Sequence, residues 1–89
     1  MTRWWCSFCD PRRPRGEQFL GLCIVEAVDE ITAVTKTHAL GINPGGEVAF
    51  MDIREDVAAR LSFALPMDCF IPRDEALALT DRISGEIDA

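Results

Sequence analysis

The sequence contains no tyrosine and a single histidine, His38. That shortage narrows the chemistry, because acid–base work near neutral pH falls most often to histidine. No Ser-His-Asp order and no pair of catalytic carboxylates can be picked out beside His38. Long hydrophobic runs are missing too. The longest, Phe19 to Val25, is far too short to span a bilayer, which takes about 20 apolar residues. The first residues, Met1 to Cys9, hold two Trp and two Cys but no continuous apolar targeting core. A cytoplasmic setting is therefore expected. In that setting the four cysteines read as thiols or metal ligands rather than as a disulfide framework. Lysine is scarce, with eight Arg to one Lys, and alanine is frequent; that bias points to a GC-rich bacterial genome.

The 89 residues form one small domain by the usual size prior, residues 1–89. At 48% hydrophobic and 27% charged, the chain reads as globular rather than disordered. A chain of this length buries about 60–65% of the surface it exposes when unfolded. It makes one thin core and has little room for a deep cavity between two lobes. The formal net charge is −6 and unevenly spread. Residues 1–19 carry four Arg against two acids, a local +2, and residues 20–89 carry five basic and thirteen acidic groups, a local −8. Direct nucleic-acid binding needs a basic face, which an acidic body does not offer. An acidic inhibitor or nucleic-acid mimic of a basic partner stays open. Much of the acidity has a simpler origin, since Asp29–Glu30, Glu55–Asp56 and Asp74–Glu75 stand where helices are expected to begin. Carboxylates there meet free N–H groups and the positive end of the helix dipole.

Trp4 to Cys9 alternates as a strand, with Trp4, Cys6 and Phe8 on one face and Trp5, Ser7 and Cys9 on the other. Asp10 to Gln18 is a loop broken by two prolines and a glycine. Phe19 to Ala27 is a second strand. Asp29 caps a helix to about Leu40, with Ile31, Val34, Thr35 and His38 along one side. Gly41 suits the left-handed position after it, with Ile42 next. Asn43-Pro44-Gly45-Gly46 fits a type II turn, and Glu47 to Ile53 is a third strand. Glu55 to Ser62 reads as a short helix with Val57 and Leu61 inward. Met67 to Ile71 reads as a short fourth strand. Pro72 then suits the first turn of a last helix that runs through Ile83 and stops at Gly85, with Ala76, Leu79, Ile83 and Ile87 as its stripe.

The order β-β-α-β-α-β-α implies an α+β fold, a three- or four-stranded mainly antiparallel sheet with two or three helices packed on it. Strands two and three are apolar on both faces, the pattern of strands covered on both sides. Either the last helix crosses to the second face or another chain covers it. This feature leads to the principal expectation, a non-enzymatic interaction or homodimerisation module.

Tryptophan and arginine are the residue types most enriched at binding hot spots. Trp4, Trp5, Arg12, Arg13 and Arg15 therefore mark the N-terminal hairpin as the expected partner surface, the partner being a second copy or another protein. Against this stand a core role for the tryptophans and a solvated loop for the arginines. No catalytic residue and no cofactor is implied. The alternative is a zinc or thiol-redox protein built on Cys6-Ser7-Phe8-Cys9. Trp5 to Cys9 matches the WCxxC string of thioredoxin-like redox proteins, in which the first thiol opens a helix. Here Asp10-Pro11-Arg12-Arg13-Pro14 follows, a poor helix beginning. Zinc needs two more ligands. Cys23, Cys69 and His38 are the candidates, but both cysteines stand in apolar strands. An extended strand also points Cys6 and Cys9 to opposite sides. Gly41 to Gly46 is glycine-rich, yet it runs from helix into strand, the reverse of a phosphate-cradling loop.

Overall fold

A computed structural model describes residues 1–87. Strands β1 (Thr2–Cys9) and β2 (Phe19–Ala27) form an antiparallel hairpin through the Arg-rich loop, with Trp4 opposite Val25, Cys6 opposite Cys23 and Phe8 opposite Gly21. A bulge falls between Phe8 and Cys9. Strand β3 (Glu47–Ile53) pairs with the other side of β1. Strand β4, only Ile71–Pro72, pairs with β2. The sheet order is β3-β1-β2-β4, antiparallel throughout. Helix α1 (Glu30–Ala39) joins β2 to β3, the short α2 (Glu55–Ala59) follows β3, and α3 (Arg73–Ile87) follows β4. The α+β class and the element order are as expected from the sequence. Among the described residues no helix is long and apolar enough to cross a membrane.

The caps and turns follow from local chemistry. Asp29 accepts the Thr32 N–H at 2.7 Å, closing one of the free donors at the start of α1. The Thr32 hydroxyl first and then this backbone N–H hold the Asp29 carboxyl below the usual carboxylate range. At the other end Gly41 adopts φ 70°, the Gly41 N–H donates to His38 O at 3.1 Å and the Ile42 N–H donates to Thr37 O at 3.0 Å. This is the Schellman pattern, and it sends Ile42 back into the core. The following turn places Gly45 at φ 86°, with its N–H on Asn43 Oδ1 at 2.8 Å. Only glycine holds that φ without strain, so the sequence Asn-Pro-Gly fixes where β3 begins.

Each face of the sheet carries one helix. On one, Cys6, Phe8, Cys23 and Val25 pack with Ala27 and Ala33, and α1 lies over β2 and β1. On the other, Leu22, Ile24, Ile71 and Ala76 form a second cluster, with α3 over β2 and β4. Central strand β2 is thus buried on both sides, which explains its unbroken apolar run. Burying a side chain such as Leu22, Ile24 or Val25 stabilises the fold by about 1.5–3 kcal/mol each.

Four sequence expectations are corrected. The packed face of α1 is Ala33 and Thr37, not Ile31, Val34, Thr35 and His38; Ile31 is 77% exposed. Small residues win because they let the helix approach the sheet, and Thr37 satisfies its hydroxyl on Val34 O at 2.6 Å and on Asn43 Nδ2 at 3.0 Å. Helix α2 ends at Ala59 rather than Ser62. The N–H groups of Arg60 and Leu61 turn to carbonyls three residues back, and Ser62 N–H goes to Glu86 Oε1 at 2.8 Å. Residues 67–70 are not a strand. Asp68 sits at φ 58°, so the chain turns there, although the Asp68 N–H still bonds Ile24 O at 2.9 Å. Pro72 closes β4 instead of opening α3, and α3 runs through Gly85 to Ile87. Its continuation is held by Arg60 Nη2 on Ile87 O at 3.2 Å and by the Glu86–Ser62 bond.

Candidate functional site

Helix α3 packs chiefly on β2 and β4, so the β1–β3 half of that sheet face lacks a helix. Alternation places Trp5, Ser7, Met51 and Ile53 on this half, with Trp5 directly opposite Met51. The segment after β3 brings Val57 and Leu61 up one side, and α3 supplies Leu77, Thr80, Ile83 and Ile87 on the other. The result is an apolar trough of about 480 Å³. Its wall residue Leu77 is 48% exposed and its floor residue Met51 58% exposed. Apolar side chains left in water at this density mark a surface that gains free energy when covered. Among the described residues the trough holds no set of convergent titratable groups, and the charged ones lining it are Asp52 and Arg54.

The five residues expected at a partner surface fall in three places. Trp5 is in the trough floor. Trp4 points to the α1 face, where its Nε1–H donates to Ala27 O at 3.1 Å and its ring meets Phe50 edge-to-face, centroids 6.4 Å apart. Arg12, Arg13 and Arg15 sit in the exposed loop at the hairpin tip. Arg12 bonds Asp10 at 3.2 Å and Arg13 lies 3.9 Å from the same carboxylate. The Arg12 backbone N–H and then its guanidinium hold the Asp10 carboxyl below its ordinary range. Gln18 Nε2 ties the loop by donating to Arg13 O at 3.2 Å. Arg73 reaches across from α3 to Gly16 O. A second hollow, about 620 Å³, lies between the loop and Phe70, with Arg13 and Arg73 at its edges. The structure therefore does not unite the Trp pair and the Arg loop in one patch.

The thiols divide likewise. Cys6 and Cys23 are fully buried, opposite each other across β1 and β2. The Cys23 thiol is pushed well above its ordinary value, first by its hydrogen bond to Cys6 and then by burial. A thiol so held is neutral and a poor nucleophile. Cys9 is half-buried at the end of β1 opposite Phe19, on the other face from Cys6, and Cys69 is exposed. Among the described residues no group of three or more His, Cys, Asp or Glu is placed to hold a metal ion. Sole histidine His38 is exposed, 3.4 Å from Asn43 Nδ2.

Comparison of the chain with known protein families, with curated proteins and with solved structures finds no match.

Sequence reasoning passed over Met51 and Leu77. Strand β3 is apolar on both faces, and that pattern reads as a buried strand. Nothing in Glu47 to Ile53 signals that the strand lies at an edge. Leu77 lies off the Ala76–Leu79–Ile83 stripe, but its neighbouring place on the α3 helical wheel was a usable signal.

Proposed function

We propose that this chain is a non-enzymatic protein–protein interaction module, acting as a homodimer or as the small subunit of a complex. The observation that carries this reading is the apolar trough over β1 and β3, floored by Trp5 and Met51 and left open beside α3. Tryptophan is among the residue types most enriched at binding hot spots, and Trp5 lines this apolar recess. Enzymatic chemistry has no comparable support, since the described residues that line the recess include neither a nucleophile with its base nor an acid–base pair.

Sedimentation velocity across a wide concentration range tests the reading. Self-association is expected, and Leu77→Ser, on the wall and half-exposed, is expected to weaken it without unfolding the chain. A monomer at every concentration, with Trp emission that never shifts, would remove the homodimer. An assembly insensitive to Leu77→Ser would place the contact elsewhere.

A further inference from the structure

Resting on the interaction reading above, we infer that a second copy of this chain pairs along the free edge of β3, antiparallel and centred on Phe50, so that two chains share one eight-stranded sheet. Strand β3 lies at the end of the sheet and is paired only with β1. Its seven residues run in uninterrupted register, with no proline, no lysine and no bulge. Among the described residues, no backbone hydrogen bond outside the β1 ladder reaches residues 47–53. Proline, lysine, bulges and a covering segment are devices by which proteins blunt an edge; β3 has none of these, and its only charges are Glu47 at one end and Asp52. The opposite edge is blunted: β4 has two residues, one of them Pro72, and α3 follows at once. One open edge per chain closes the assembly at two copies, whereas two open edges would give a fibre.

The register follows from self-complementarity. An antiparallel pair that keeps each sheet face on its own side sets residues of like parity opposite one another. Centring on Phe50 uses all seven residues and sets Glu47 against Ile53, Val48 against Asp52 and Ala49 against Met51. No acid then faces an acid. Met51, 58% exposed, meets the small Ala49 of the second copy. Arg54 of each chain comes opposite Gly46 of the other, and its guanidinium stays on Asp56 of its own chain at 3.1 Å, so no unpaired cation is brought to the seam. Phe50, already edge-to-face with Trp4, meets its own copy and extends an aromatic row across the seam. Centring on Met51 instead would set Glu47 against Glu55, and centring on Ala49 would leave Asp52 and Ile53 outside the pair.

The test is a charge swap at two exposed positions of the full-length chain, read by native mass spectrometry and checked for folding by circular dichroism. The variants are Ala49→Lys with Met51→Lys, and Ala49→Glu with Met51→Glu. The wild-type chain is expected to be dimeric. Each variant alone sets like charges face to face and loses at least about tenfold in self-affinity. An equal mixture restores a dimer of one chain of each kind, because lysine then faces glutamate. A dimeric wild type whose variants remain dimeric alone overturns the β3 seam and leaves the interaction reading standing. Variants that stay monomeric when mixed overturn the Phe50-centred register. A monomeric wild type at high concentration overturns both.

Discussion

Gly21→Ala tests whether β4 and α3 are docked as described. Gly21 stands at φ 147°, and a Cβ built there would lie 2.3 Å from Ile71 O and 2.7 Å from Phe70 Cζ. Ile71 O belongs to backbone, so no side-chain rotation relieves the clash; β4 has to move off β2. The backbone conformation alone costs an alanine about 1–3 kcal/mol. Displacing β4 also removes backbone pairing worth ~1 kcal/mol per bond and part of the burial of Ile71, a side chain worth about 1.5–3 kcal/mol. A chain of this size has a total stability of roughly 4–13 kcal/mol. Gly21→Ala should therefore remove a large share of it. Gly16→Ala is the control, since Gly16 has φ 89° but nothing within 4 Å of its added Cβ. Urea unfolding followed by Trp fluorescence should place Gly21→Ala at least ~2 kcal/mol below Gly16→Ala. Equal losses, within ~0.5 kcal/mol, would refute the close approach of β4 to β2, and with it the docking of α3 that forms the trough.

Other consequences are as direct. Gly85→Ala should stabilise the chain by about 0.5–1 kcal/mol, because Gly85 lies within α3 and an added Cβ meets nothing within 4 Å; a loss in chemical denaturation would mean the helix stops there. Asp29→Ala should lower the melting temperature, while Asp29→Asn, which keeps the cap acceptor, should restore most of the loss. Asp10, Asp29 and Glu86 are all held below their ordinary carboxylate values, chiefly by hydrogen bonds to Arg12, Thr32 and Ser62 respectively. Their stabilisation is present above the ordinary range of about 4 and is lost as pH falls through the lowered values. Melting curves should fall more steeply below that range for the wild type than for Asp10→Asn with Asp29→Asn and Glu86→Gln.

The sequence carried the periodic elements and their caps. Asp29, Gly41 and the Asn43-Pro44-Gly45 turn act within a few residues, so their chemistry is local and readable. The apolar run Phe19 to Ala27 correctly read as a strand covered on both faces. Misreadings came where distant partners decide. Ile31 and His38 matched helical spacing as well as Ala33 and Thr37 did, yet the sheet took the small pair. Gly85 and Pro72 are usual helix punctuation, and both were overridden by contacts across some 24 to 57 residues, from Ser62 to Glu86 and from Arg73 to Gly16. The site was legible only in part. Trp5 was singled out, but its companions Met51 and Leu77 lie on strands and helices whose adjacency no local pattern encodes.

The width of the sheet accounts for where the bare surface lies. Four strands at about 4.8 Å spacing put roughly 15 Å between the outer strand axes. A helix with its side chains is about 10–12 Å across, enough to cover two strands. One helix per face therefore leaves part of each face uncovered, and the only choice is which part. Helix α1 lies over β2 and β1, and α3 over β2 and β4. Both helices thus favour β2, and the shortfall on both faces falls at β3, the strand whose outer edge is also unpaired. Helix α2, the remaining candidate cover, has five residues and packs only lightly on the sheet. Apolar floor, open wall and free backbone therefore converge at one border of the molecule. A partner that binds there gains on all three at once, through burial at the floor and hydrogen bonds at the edge.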